Sequence, residues 1–579
     1  MKKLINDVSA VVPDMLDGLA ALNPNLSLLQ NSRVVVRADA QAAAARGEVV
    51  LISGGGSGHE PAHGGYVGPG MLSAAVAGEV FTSPSTDAVL DAIRAVAGPA
   101  GALLIVKNYT GDRLNFGLAA EIARAEGIPV DMVVVADDVA LAASGDHAGR
   151  RGLAGTVLVH KIAGAAAAAG RPLAEVAQIA RDAIDSLATM GVALTPCTVP
   201  AAGKPGFELA DDEIEWGLGI HGEPGVEKGP LQPAREIVER LLGKIIDDLS
   251  LQAGERVALL VNNLGGTPSS ELNIVASASL RCLAERRITV ERAWAGTFLS
   301  ALEMAGVSLS LLRVDDVRLG WLDAAAHTSA WPALSGRVAQ ASVRPAPTEP
   351  LTFDGEKLAR DAALRRVISA VCDCLIKAEP TLTDMDLRVG DGDLGISLSR
   401  GARAILHELD SYAAETKPGN VLRGISATVR RVVGGTSGPL YSVMLLRAAV
   451  ALEQPREAPT NAAGTSATSA TARHWAAAFT AGVAGLMELG GAHPGDRTMV
   501  DALKPAADAL QSALASSPDI DAALNAAVDA AAEGAARTAQ MQPRRGRSSY
   551  VGDRALGHVD PGAHAVALWL ASIRDALKT

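Results

Sequence analysis

The sequence predicts an α/β region followed by an all-helical one. Two observations predict it. Up to about residue 330, short β-branched runs alternate with segments of helical period, the pattern of sheets covered by helices. Beyond a proline-rich stretch the strand signals largely vanish, and apolar residues recur at helical spacing. A chain of 579 residues exceeds one ordinary core, so more than one domain is expected.

In chain order, Val8–Leu22 reads as a helix, and Arg33–Val36 and Val49–Ile52 read as strands. The second strand runs into Ser53-Gly54-Gly55-Gly56-Ser57-Gly58-His59-Glu60-Pro61, read as a glycine-rich loop. A strand opening into such a loop is a usual ligand position in open parallel sheets. It is neither a Walker loop nor a dinucleotide fingerprint, because it lacks the Gly-Lys-Ser/Thr ending and carries a histidine. Strand Ala102–Val106 ends in Lys107-Asn108-Tyr109-Thr110-Gly111-Asp112, again chemically capable residues. Helix Phe116–Glu126 and strand Val130–Val135 continue the alternation, so a mostly parallel sheet is expected. Leu153–Ala169 and Leu173–Met190 read as helices.

Between Leu194 and Leu231 the pattern is irregular and holds Trp216-Gly217-Leu218-Gly219-Ile220-His221-Gly222-Glu223-Pro224-Gly225. A lone loop histidine is structural, exposed or functional; glycines on both sides let a ligand reach the imidazole. Helix Arg235–Leu249, strand Arg256–Val261, helix Glu271–Glu285 and strands Ile288–Ala295 and Leu309–Arg313 form a second, smaller α/β unit. Trp331–Pro350, with Pro332, Pro345, Pro347 and Pro350, reads as a partly extended linker. Helices are then expected at Leu358–Ile376, Ile396–Leu409, Val421–Val433, Leu440–Leu452, Ala472–Leu489, Thr498–Ser516, Ile520–Ala536 and Ala563–Leu577, giving a helical bundle. Pro455–Ala470 is of low complexity and reads as a flexible loop.

Composition excludes several classes. Net charge is −12 and aromatics are 3%, so neither a basic face nor a base-stacking platform for nucleic acid is expected. No apolar run reaches membrane-spanning length, and Asp7, Pro13, Asp14 and Asp17 interrupt any signal-peptide core. Four cysteines in so long a chain fit a reducing cytosol, and Cys372 and Cys374 have no nearby pair to complete a zinc site.

The densest chemistry lies in Thr383–Gly395, where Asp384, Asp386, Asp391 and Asp393 are interleaved with glycines and read as one loop. Clustered carboxylates repel unless a cation neutralises them, and hard oxygen ligands suit Mg2+ or Ca2+. A calcium EF-hand started at Asp391 would need an oxygen ligand, Gly and Glu where Gly395, Ile396 and Ala402 stand, so that reading fails. A solvated Asp/Gly turn stays open beside the metal site. The turn Gly434-Gly435-Thr436-Ser437-Gly438 precedes a helix and offers free amides to an anion, or simply a Ser/Thr cap.

These stretches together resemble the single-chain, ATP-dependent dihydroxyacetone kinases, from the first helix to the last. The resemblance rests on Gly54–Pro61, Asn108–Asp112, Gly217–Glu223, Gly390–Asp393 and Gly434–Gly438. It implies a substrate domain of two α/β lobes at 1–330 (about 1–190 and 191–330), a linker at 331–351, and an eight-helix barrel binding nucleotide at 352–579. It implies that His221 captures the substrate carbonyl as a hemiaminal, that Asp112 is the general base, and that His59 orients or polarises the hydroxyl. Gly56, Ser57, Gly58, His59, Lys107 and Asp112 would line the substrate site. Asp386, Asp391 and Asp393 would hold Mg2+ against ATP, leaving Asp384 as a loop or capping residue. Leu394, Gly395, Ile396, Ser397, Thr436 and Ser437 would contact phosphates; Gly482, Thr498, Met499, Asp560, Pro561 and Gly562 would enclose the nucleoside. A cytoplasmic homodimer whose domains act across chains is implied, with no nucleic-acid or membrane partner. Within the resemblance the substrate is dihydroxyacetone, a tetrulose such as erythrulose, or glyceraldehyde. An FAD-AMP lyase side activity and a non-catalytic carbonyl sensor are the further readings.

Overall fold

The computed structural model describes residues 2–141, 149–333, 336–339, 343–344, 363–412, 418–454 and 467–578. Pro345, Pro347 and Pro350 of the expected linker, the start of the helix expected from Leu358, and residues 455–466 of the low-complexity segment lie outside these. The chain divides into two compact units, Met1–Ser342 and Val343–Thr579.

In the first unit the elements run α1 (Val11–Leu22), β1 (Leu26–Leu28), β2 (Val34–Arg37), α2 (Ala40–Ala45), β3 (Val50–Ser57), β4 (Ala74–Val80), α3 (Thr86–Val96), β5 (Ala102–Lys107), α4 (Thr110–Ala125) and β6 (Val130–Val135). There follow α5 (Thr156–Ala168), α6 (Leu173–Ile184), β7 (Leu187–Ala193), β8 (Glu213–Trp216), β9 (Glu227–Pro230), α7 (Ala234–Leu249), β10 (Arg256–Asn263), α8 (Ser269–Glu285), β11 (Thr289–Gly296), β12 (Gly306–Arg313) and α9 (Asp316–Asp323).

Two six-stranded sheets result, ordered β1-β2-β4-β3-β5-β6 and β11-β10-β12-β7-β8-β9. The parallel expectation holds for four adjoining strands of the first, where β4, β3, β5 and β6 run parallel. In the second only β10 and β11 are parallel. The β10–β11 connection carries helix α8, the crossover that a parallel pair needs.

Alternation of side chains about each strand builds three apolar layers. Val50, Ile52, Leu104 and Val106 pack on α3 and α4. Leu51, Leu103 and Ile105 pack with α5 and α6 into a central layer that also takes Ala258, Leu260 and Leu312 of the second sheet. Leu259, Val261, Leu309 and Leu311 pack on α7 and α8. Each fully buried Leu, Ile or Val contributes about 1.5–3 kcal/mol. The small side chains of α5 explain its place: Thr156 to Ala167 are all buried, and a Cβ on Gly164 would collide with the backbone of Gly70 and Met71.

Two sequence expectations fail here for physical reasons. The helix expected over Leu173–Met190 stops at Ile184, and Leu187–Ala193 is strand β7. Every residue of β7 is buried, so it carries no period-two signal and reads as more helix. Gly54–Ser57 are not loop but the end of β3, hydrogen-bonded alongside β4. A Cβ on Gly54 would collide with the Val76 carbonyl, so glycine there permits the two strands to lie as they do.

The second unit holds α10 (Ala363–Lys377), α11 (Glu379–Val389), α12 (Leu394–Glu408), α13 (Pro418–Val432), α14 (Ser437–Glu453), α15 (Ala467–Gly490), α16 (Val500–Ser516), α17 (Ile520–Arg537) and α18 (Pro561–Lys578). These are nine α-helices and no strand among the described residues, against the eight helices implied. From α12 to α18 each helix packs on the next, and α10 packs on both α12 and α18. The ninth, α11, corrects the single aspartate loop: Asp384 and Asp386 stand on a helix, and only Gly390–Asp393 link it to α12. A proline in its first turn and buried Leu382, Asp386 and Val389 at helical spacing account for it; a carboxylate at one of those positions and another at Asp384 hid the period. Asp384 is an exposed ion-pair partner of Arg388 one turn on, 2.7 Å away, and neither a loop nor a capping residue. No described helix is long and apolar enough to cross a membrane.

Candidate active site

In the first unit, β3, the start of α4 and the loop after β8 bring three predicted residues together. His59 is fully buried. Its Nδ1 donates to the Ser300 carbonyl at 2.9 Å, which fixes the tautomer and leaves Nε2 as an acceptor without a partner. Its ring stacks on Phe81 (centroids 5.1 Å apart) and meets the His221 ring at 5.0 Å. His221 is further enclosed by the edges of Tyr109 at 4.4 Å and Phe81 at 5.4 Å. Burial, then the charges of Lys107 and Arg151, push the His221 imidazole down from 6.5 to about 3. It is therefore neutral, with a lone pair to donate.

Asp112 lies buried in the first turn of α4, and its Oδ1 has no partner. Burial raises its carboxyl above the ordinary range, while Lys107 and Ser83 oppose the rise. Lys107 closes β5, wholly buried. Burial lowers its ammonium, and Asp112 and Glu60 pull it back up. Gly55 makes the room: at φ +151°, a Cβ there would sit 2.7 Å from Lys107 Nζ and 3.5 Å from Asp112 Oδ2.

Two histidines that the sequence reading passed over complete this cluster. Lys107 Nζ donates to His63 Nε2 at 3.0 Å, so His63 carries its proton on Nδ1, which stands 3.0 Å from His160 Nε2. His63 precedes Gly64-Gly65 just past the glycine-rich stretch, a signal that could have marked it, whereas His160 sits mid-helix in α5, so the fold is what reveals the pairing. A cavity of about 420 Å³ beside β3 is lined by Leu16, Leu19, Gly55, Gly56, Ser57 and His63 among others, but by neither His59, Asp112 nor His221.

His59, His63, His160 and His221 are all held below the ordinary histidine value, chiefly by burial. Each is neutral when folded and takes up a proton on unfolding below about pH 6.5, so stability falls as pH drops through that window. For His160 and His221, both near 3, the loss is about 2 kcal/mol each at about pH 5. The urea midpoint is expected to fall between pH 7 and pH 5; an unchanged midpoint would show these rings to be solvated.

In the second unit, one oxygen each of Asp386, Asp391 and Asp393 lie within 4.8 Å of one another. Three carboxylates at that spacing, two of them exposed, suit a hard divalent cation such as Mg2+. Asp386 Oδ2 also accepts the Leu394 amide at 3.2 Å, joining α11 to the head of α12. There Gly395 packs against the α11 backbone so closely that a Cβ would stand 2.7 Å from Thr383 N. Ile396 is exposed and Ser397 buried in the same turn. The Gly434–Gly438 turn comes alongside: Gly435 has φ +65°, and a Cβ on it would lie 4.0 Å from Asp393 Oδ2. Thr436 and Ser437 start α14.

Asp560 is half-buried and feels the charge of Asp386. Burial lifts its carboxyl to about 6, with Asp501 and Asp386 adding to the rise and Arg497 opposing it. Its Oδ1 accepts the Ala563 amide at 2.8 Å, and Pro561 and Gly562 begin α18. A Cβ on Gly562 would stand 3.6 Å from that of Met499, so Met499, Asp560 and Gly562 adjoin. Thr498 donates its amide to Asp501 Oδ2 at 2.8 Å and precedes α16, which begins at Val500. Gly482 lies on α15, packed on Met444. Arg497, which the sequence did not single out, is buried at φ +62° and donates to the carbonyls of Ala555 (3.1 Å) and His558 (2.8 Å), fastening the 495–501 and 555–560 loops together.

Comparison with known proteins now decides the family. Residues 17–330 match the Dak1 domain and residues 388–575 the DAK2 domain. The chain is 44% identical over 593 residues to the human protein named triokinase/FMN cyclase, covering all of both. It is 44% identical to a putative 3,4-dihydroxy-2-butanone kinase of Solanum lycopersicum, over all of this chain and 98% of that one. The crystal structure of the dihydroxyacetone kinase of C. freundii, solved also with AMP-PNP and Mg2+, matches at TM-score 0.63 and 36% identity over 99% of both chains.

The chain belongs to the dihydroxyacetone kinase family. It is a kinase, a phosphotransferase in which an α/β region and an all-helical region are fused. Within this kinase, buried His59, Asp112 and Lys107 with half-buried His221 form one group, and Asp386, Asp391 and Asp393 another.

Proposed function

We propose that this kinase transfers the γ-phosphoryl group of ATP to a terminal hydroxyl of a short ketose, dihydroxyacetone first, while His221 holds the ketose as a hemiaminal. The observation that carries this is the neutral, enclosed His221 imidazole beside His59, whose Nε2 is a buried acceptor without a partner, with a second such acceptor, Asp112 Oδ1, near Lys107, whose charge acts on all three. A ring nitrogen of His221 donates its lone pair to the keto carbon. The carbonyl π bond opens, its oxygen takes up a proton, and the opposite ring nitrogen gives up its N–H proton, so that the hemiaminal is neutral. The tethered terminal hydroxyl gives its proton to Asp112, which the burial-raised carboxyl favours, after His59 Nε2, an acceptor only, has oriented the hydroxyl. The hydroxyl oxygen bonds to phosphorus, and ADP leaves. Lys107 favours the ionised form of Asp112, so that the carboxylate is ready to take the proton.

Asp386, Asp391 and Asp393 would hold Mg2+, which when bound neutralises phosphate charge. The amides of Leu394–Ser397 and of Thr436 and Ser437 would meet phosphate oxygens. Thr498, Met499, Asp560, Pro561, Gly562 and Gly482 would enclose the nucleoside. We retain 1–330 as the substrate region, 331–351 as the connection and 352–579 as the nucleotide region. A homodimer in which each helical region serves the partner's substrate region belongs to the same reading, as does a cytoplasmic location, which four unpaired cysteines support.

The test is ADP release with ATP and Mg2+ across dihydroxyacetone, erythrulose, glyceraldehyde and glycerol. Carbonyl-dependent turnover is expected, with glycerol inert; no turnover on any carbonyl substrate overturns the reading and favours a non-catalytic sensor. The tomato relative's name makes the four-carbon ketose the alternative substrate. The human relative's name favours a second activity, splitting of FAD to a cyclic flavin nucleotide and AMP, assayed with FAD and Mg2+ or Mn2+. Asp112→Asn is expected to lower kcat by about 10²–10⁴ while leaving the ketose adduct in place. Steady-state rates and intact mass check both halves of that statement.

A further inference from the structure

The loop carrying His221 runs between β8 and β9 and turns through two glycines of positive φ, Gly217 at +63° and Gly222 at +75°. Such a segment holds a side chain still only where its own polar groups are tied. Bonds to Gly191, Trp216 and Glu215 hold its two ends, and the ties nearest His221 lead to one side chain outside the loop. Arg151 Nη2 donates to the Gly217 carbonyl at 2.6 Å, and Nη1 to Glu223 Oε1 at 3.4 Å. The other oxygen of Glu223, Oε2, accepts the backbone N–H of His221 at 2.8 Å. Arg151 is anchored in turn. Its Nε donates to Asp138 Oδ2 at 2.7 Å, and its carbonyl accepts the Asp138 amide at 3.1 Å. Asp138 is fully buried and accepts the Ala140 amide on Oδ1 at 2.9 Å. A planar guanidinium can make these three side-chain bonds in three directions at once; a lysine ammonium on a flexible stem cannot fix the same set.

We infer that Arg151, anchored by Asp138, is a positioning residue that fixes the His221 ring for addition to the substrate carbonyl by gripping Gly217 and, through Glu223, the His221 backbone. The inference rests on the reading of His221 as nucleophile. Without the clamp the loop samples other arrangements, and the apparent affinity for ketose falls by the fraction of time the ring is misplaced. Substrate bound in the remaining fraction still reacts, so the effect falls on KM and adduct occupancy more than on kcat at saturation.

The test uses the full chain with dihydroxyacetone below its KM, reading adduct occupancy by native intact mass alongside steady-state KM and kcat. Arg151→Met is expected to raise KM about tenfold or more, to lower occupancy in proportion, and to change kcat at saturation by less than about threefold. Because that variant strands the buried Asp138, the deciding variant is Glu223→Ala, which leaves the Arg151–Asp138 pair whole. It is expected to show the same split, and Arg151→Lys to recover only part of it. Wild-type occupancy and KM in Glu223→Ala would overturn the clamp, as would a fall in thermal midpoint with no change in either. Absence of an adduct in the wild type would instead overturn the nucleophile reading and take the clamp with it.

Discussion

In a His221→Ala protein no ketose adduct forms, and kcat/KM for dihydroxyacetone falls by about a thousandfold or more. The substitution removes the lone pair that meets the carbonyl but leaves Tyr109, Phe81 and His59 to wall the site. The terminal hydroxyl then reaches Asp112 only by chance encounter, and the advantage of a tethered substrate is lost. Selectivity is expected to go with it. Glycerol has no carbonyl to capture, so any residual rates with dihydroxyacetone and glycerol should converge. Intact mass reports the adduct, and ADP release reports the rates. Adduct retained in His221→Ala would place the nucleophile elsewhere; wild-type preference for the ketose over glycerol would show that capture is not what selects the substrate.

Asp391→Asn separates the two halves of the reaction. It removes one of three carboxylates whose oxygens lie within 4.8 Å of each other. Loss of a partner one shell further out typically costs about 10–100-fold in metal affinity, so loss of a direct ligand should raise the Mg2+ requirement by at least that much. Turnover at millimolar Mg2+ is expected to collapse, and ketose capture at His221 to stay at the wild-type level. The residue is exposed, so folding should be unaffected. A Mg2+ titration of ADP release, run beside the adduct measurement, checks both. A variant that lost the adduct too would show that capture and phosphoryl donation are not divided between the two regions as proposed.

Most of the fold was legible because its causes are local. The helices of the second unit announce themselves by apolar residues every three or four positions, and β5, β6 and β10 by β-branched runs. Legibility failed where burial or charge erased a period. β7 is buried on both faces and passed for helix. α11 carries Asp384 and Asp386 among its apolar positions and passed for loop. The end of β3 is glycine and serine, a turn composition, yet it is strand because β4 lies against it.

The sequence by itself determined the types of chemistry: a glycine-flanked histidine, acidic residues spaced for a divalent cation, and amides at a helix start. Motif spacing can do that much, since each group is contiguous along the chain. Only the tertiary structure decided which groups meet and in what state. His59 and His221 are separated by more than 160 positions, yet their rings lie 5.0 Å apart. Burial makes them neutral, and burial is set by packing of distant segments rather than by neighbours in sequence. The same holds for Arg151 and for the pairing of Lys107 with His63 and His160, because their partners come from other strands, helices and loops.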